Sequence, residues 1–135
     1  MASTVDLRTE TVGAIPSFGI RAHSILKAEI DTTDISGGLV SGNTYKFLTI
    51  PEKFLLLRAM IRVRTVDAGG GTSTLTDGTI VPLAAQVMTA EGVFIGTTNL
   101  PKYFKAGGYL AGLIATANLT LAIFDVIAEG IDLRE

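Results

Sequence analysis

At 135 residues and 14.2 kDa, the chain has room for one domain with a real core and no need of covalent staples. It contains no cysteine, which excludes disulfides, thiolate metal sites and cysteine nucleophiles. A net charge of −2 offers no general attraction to nucleic acid or anionic lipid.

Charged residues make up 18% of the chain, below the roughly 25% of an average soluble domain. With mean hydropathy at +0.45, so little charge points to a surface that meets other protein or enters a membrane. The first 23 residues, MASTVDLRTETVGAIPSFGIRAH, lack the basic segment and apolar run of a signal peptide. They show no sustained alternation, and Gly13, Pro16 and Gly19 stand between apolar residues. Val5, Leu7, Val12, Ile15, Phe18 and Ile20 make this stretch too apolar for a solvated tail. It reads as an arm, residues 1–23, lying on its own domain (24–135) or on a neighbour.

Strand signals fill the remainder. Ser24–Asp31 alternates, with Leu26, Ala28 and Ile30 on one side and Lys27, Glu29 and Asp31 on the other. DTTDISGGLVSGN is built of turn-forming residues, and its aspartates suit side-chain capping better than a calcium loop. TYKFLTI (44–50) is β-branched and aromatic, and Pro51 closes it.

FLLLRAMIRVRTV (54–66) follows with a period of two. It puts Leu55, Leu57, Ala59, Ile61 and Val63 on one face, and Leu56, Arg58, Met60, Arg62 and Arg64 on the other. Residues 67–79 form a glycine-rich loop or short irregular strand. Residues 80–88 fit helix or strand, with strand favoured; strands are expected over 93–97 and 109–115, and a long one over 119–133, with turns at Glu91-Gly92 and Asn99-Leu100-Pro101. The charge-free run 107–124 approaches the length of a membrane helix, but its Asn, Thr and Gly breaks and acidic flank argue against one.

Catalytic chemistry is thin. His23 is the one histidine, no G-x-S-x-G elbow exists, and Gly69-Gly70-Gly71-Thr72 lacks the lysine of a phosphate loop. Neither a cofactor nor a metal is expected, and the chain does not read as an enzyme.

The three arginines on one strand face admit three readings. They could track phosphates, pair with carboxylates such as Glu29, Asp125 and Glu129 on adjoining strands, or meet another subunit. A face mixing Leu56 and Met60 with Arg58, Arg62 and Arg64 suits subunit contact best, and nucleic acid least.

Two segments carry a resemblance: DTTDISGGLVSGNTYKFLTIPEKFLLLRAMIRV and YFKAGGYLAGLIATANLTLAIFDVIAEGIDL. Over about residues 24–133 they resemble small structural proteins of tailed-phage virions, through the T-Y-K-F-x-x-I-P opening and the D-V-x-A-x-x-x-D-L closing strand. The resemblance implies a capsid decoration (cement) protein. It would be all-β, a jelly-roll-like antiparallel β-sandwich, without cofactor. It would form a homotrimer on the outer surface of the virion shell, bound to the major capsid protein and assembled in the host cytoplasm. On this reading Val5, Leu7, Val12, Ile15, Phe18 and Ile20 of the arm touch the capsid. Two alternatives stand beside it. One is a tail or fibre component that binds a host glycan or receptor through Tyr103, Tyr109 and Asp77. The other is a small cellular β-barrel binding module or enzyme.

Overall fold

Wherever apolar and polar residues alternate for more than a few positions, the chain is strand. The computed structural model describes residues 3–8, 12–13 and 23–134, with the backbone alone at 12, 13 and 23. Its strands are β1 (Thr4–Asp6), β2 (Val12–Gly13), β3 (His23–Asp31), β4 (Thr44–Ile50), β5 (Phe54–Thr65) and β6 (Thr72–Leu75). They continue with β7 (Leu83–Val87), β8 (Gly92–Gly96), β9 (Lys102–Phe104), β10 (Gly108–Ala115) and β11 (Ile123–Asp132). Among the described residues, helix is confined to a 3-10 turn at Thr32–Asp34. Asp31 caps that turn by accepting the Thr33 N–H at 3.0 Å, the role its sequence context suggested.

Two sheets face each other. The first has the order β1-β4-β10-β6-β7, the second β2-β3-β11-β5-β8, with β9 pairing the first residues of β5. Every ladder is antiparallel except β1 with β4. The expected all-β sandwich is therefore the fold. β3 lies over β4 at one flank and β7 over β8 at the other. The apolar run 107–124 is split between β10, a loop and the start of β11. Among the described residues no helix is long and apolar enough to cross a membrane.

The core fills the space between the inner faces. Phe47 of β4 meets Phe124 of β11 edge to face, with ring centroids 5.6 Å apart. Phe54, Leu110, Ile114, Ile61 and Val126 pack around them. β-Bulges adjust which residues point inward. Leu110 pairs with Leu48 and Ala111 with Lys46, so Phe47 has no partner opposite. The phase of β4 shifts there, and Tyr45, Phe47, Leu48 and Ile50 are all buried.

A second bulge corrects the reading of the arginine strand. Glu129 pairs with Arg58 but Gly130 pairs with Leu56, which leaves Leu57 as the extra residue. Phe54 and Leu56 face the core before the bulge, and Ala59, Ile61 and Val63 face it after. Leu56 is thus a core residue and not a neighbour of Arg58 on the outer face; Leu55 and Leu57 are half-buried. Gly130 is required here because a Cβ would collide with the Leu55 carbonyl oxygen and the Phe54 ring.

Described parts of the segment read as an arm contribute strands to both sheets. β1 runs along β4, held by the Thr44 N–H to Ser3 O (2.8 Å) and the Leu7 N–H to Lys46 O (3.0 Å). Leu7 packs against the core, Val5 is exposed on β1, and Val12 pairs with Lys27 through β2. Ile15, Phe18 and Ile20 lie outside the described residues. The glycine-rich loop holds β6 and is anchored at its start by Asp67. That buried carboxylate accepts the N–H groups of Gly69, Thr120 and Leu121 at 2.9–3.0 Å. Burial alone would raise its pKa, but these backbone donors together hold it below the usual carboxylate value.

Candidate functional site

Strand register lays out the outer face of the second sheet in rows. One row runs Lys27, Ile127, Met60, Ile95; the next runs Glu29, Asp125, Arg62, Val93. Beside them Ile25, Glu129 and Arg58 form a third. Apolar and charged side chains therefore interleave, with Val93 and Ile95 each 52% exposed on the last strand.

Two of the three arginines are occupied within the sheet. Arg58 Nη2 lies 2.6 Å from Glu129 Oε1. Arg64 Nη2 lies 2.6 Å from Glu29 Oε2, and its Nε is 3.3 Å from Asp125 Oδ2. Asp125 is fully buried and also has Lys27 Nζ at 3.7 Å. Its oxygens receive no hydrogen bond among the described residues, so two cations alone balance that charge. Pairing with adjoining carboxylates, weighed in the sequence as the second reading, accounts for Arg58 and Arg64.

Arg62 differs. It is exposed and has no ion pair among the described residues. It borders an open depression of about 460 Å³ shared with Val63, Arg64, Glu91, Gly92 and Val93. Of the five residues expected on this face, Met60, Arg58, Arg62 and Arg64 are there and Leu56 is not. Val93, Ile95 and Ile127 belong to the face as well. The strands that carry them were expected from the sequence, but the register that sets them beside Met60 was not.

The alternative glycan-binding residues do not converge as free ligands. Asp77 is tied down by the Lys102 ammonium, the Ile80 and Thr79 N–H groups and the Thr79 hydroxyl. Burial pushes its pKa up, but those donors outweigh it and lower the value to about 2. Tyr109 is half-buried on the opposite sheet beneath Lys46 (4.6 Å) and Arg8 (5.9 Å). Tyr103 is exposed on β9. Among the described residues no group of three or more histidine or carboxylate side chains could hold a metal.

What these elements define is a two-sheet β-sandwich with an interleaved apolar and charged outer face. No protein-family pattern matches the chain, and no curated protein matches it. A solved structure shares the fold: a chain of the capsid of Ralstonia phage GP4. It superposes with a TM-score of 0.62 at 14% sequence identity, over 90% of this chain and 92% of that one. At that identity the likeness is one of fold.

Proposed function

We propose that this chain is a non-enzymatic structural protein of a tailed-phage virion, which decorates the capsid and stabilises it by bridging capsid subunits. The observation that carries the reading is the extent of the fold likeness. It spans nine-tenths of both chains and takes in the whole sandwich rather than a fragment. The strand order supports the jelly-roll connectivity that the phage resemblance implies, because consecutive strands from β3 to β11 mostly alternate between the sheets.

The geometry suits a rigid brick. Most charges on the outer face of the second sheet are spent in ion pairs across its own strands, and that face keeps Ile25, Val93 and Ile95 exposed. Bridging works through many repeated modest contacts. Each buries apolar area at about 25 cal/mol per Å² before association costs, and repetition over a lattice supplies the avidity. The outer surface of the shell, the homotrimer and contact with the major capsid protein are the form that the resemblance implies. Ile15, Phe18 and Ile20 are the shell contacts in this proposal, and the face of Arg58, Met60, Arg62 and Arg64 is the contact between copies.

The test is cosedimentation of the purified chain with particles stripped of it, followed by heating the particles. Saturable binding and a higher rupture temperature are expected, and both should be lost when Ile15, Phe18 and Ile20 are changed to aspartate in a chain that keeps its β circular dichroism. Failure of the unaltered chain to bind stripped particles contradicts the proposal.

A further inference from the structure

The two flanks of the sandwich end in edge strands of different length, 3 and 2 residues at one and 5 residues each at the other. At one, β1 covers β4 and β2 covers β3. At the other, the outermost strands are β7 and β8, and neither has a ladder partner on its outer side among the described residues. Strand edges left open to water are commonly blunted by charge, proline or a bulge, because bare N–H and C=O groups recruit further strands. Over Gly92–Ile95 β8 has none of these devices, while Gly96 is buried against Pro82 and Leu83. The strand's sequence GVFIG carries no charge and no proline, and its ladder with β5 runs from Val63↔Gly92 to Ala59↔Gly96 without a shift.

We infer that β8 is the contact between two copies of this chain, joined as antiparallel edge strands about a two-fold axis at Phe94. The strand is self-complementary in that register: Gly92 falls opposite Gly96 of the second copy, and Val93 opposite its Ile95. β-Branched side chains thus meet across the join, the pairing that stabilises adjacent strands. The outer face supports the same register. The row of half-buried Ile127 and Met60 and exposed Ile95 of one copy continues into Val93 of the second, so the apolar stripe is extended rather than ended.

Charge agrees as well. Glu91, exposed just before β8, falls opposite the uncharged Thr97 of the second copy. No like charges are brought face to face. The result is one continuous sheet running through both copies. It is a two-fold contact of the free chain in solution, distinct from the contact between copies proposed for the homotrimer on the shell, and it holds whether or not the virion reading does.

Light scattering on the full chain at micromolar concentration is expected to give twice the 14.2 kDa chain mass. A monomer or a trimer overturns the inference. Ile95→Lys sets a charge on the edge and should yield a monomer with unchanged circular dichroism, while Ile95→Thr should remain a dimer. Persistence of the dimer in Ile95→Lys overturns the assignment to β8. The absence of cysteine allows a register test. Oxidised mixtures of Val93→Cys and Ile95→Cys should form the disulfide dimer, with neither variant doing so alone. Equal cross-linking in the separate variants, or none in the mixture, overturns the Phe94 axis.

Discussion

Replacing Leu56 with alanine removes a side chain that has no solvent exposure and packs in the inter-sheet core. Buried leucines truncated in this way cost about 3–5 kcal/mol, the transfer loss plus the cavity left behind. Leu57 is the bulged residue and only half-buried, so Leu57→Ala should cost about 1 kcal/mol. In a domain of this size, the difference corresponds to a melting temperature lower by roughly 10 °C in Leu56→Ala. Urea unfolding followed by circular dichroism measures both, and equal slopes against denaturant show that the unfolded states are comparable. The reversed order, with Leu57→Ala the more damaging, would put the bulge elsewhere and return Leu56 to the arginine face.

Arg64→Met leaves Asp125 buried with Lys27 as its one remaining cation among the described residues, and should cost about 3 kcal/mol. Arg62→Met should stay within about 0.5 kcal/mol, and Asp125→Asn should recover much of the Arg64→Met loss in the same urea assay. Asp77 contributes an acid-side dependence. Its folded pKa of about 2 lies below the ordinary 3.8, so its stabilisation is complete above about pH 4 and disappears as pH falls through about 2. Melting curves of Asp77→Asn should therefore converge on those of the unaltered chain toward pH 2 and separate above pH 4. Gly130→Ala forces a methyl into the Leu55 carbonyl and the Phe54 ring, and should lower thermal stability by at least about 2 kcal/mol.

The sandwich could be read from the sequence because β3, β4, β5, β10 and β11 are long enough for period-two alternation to show. The 3-residue β1 and β9 and the 2-residue β2 are too short to show a period. They are strands because a neighbouring edge pairs with them. The bulges were hidden for a related reason. Three consecutive leucines, Leu55 to Leu57, satisfy either phase, and only the pairing with β11 decides which of them is skipped. The carboxylates able to answer the arginines were visible, since Glu29, Asp125 and Glu129 each fall on the outward phase of their strands. Which arginine each would meet depended on the stagger between β3, β11 and β5, which no single strand encodes. That stagger leaves Arg62 without an ion pair among the described residues while Arg58 and Arg64 are held.

A capsid-stabilising role would make the sandwich a repeated part of a virus shell. Quantitative mass spectrometry of purified particles, with the major capsid protein as internal standard, tests that directly. The account predicts this chain at a fixed stoichiometry to the capsid protein, in hundreds of copies per particle; its absence from particles, or a handful of copies, would contradict it.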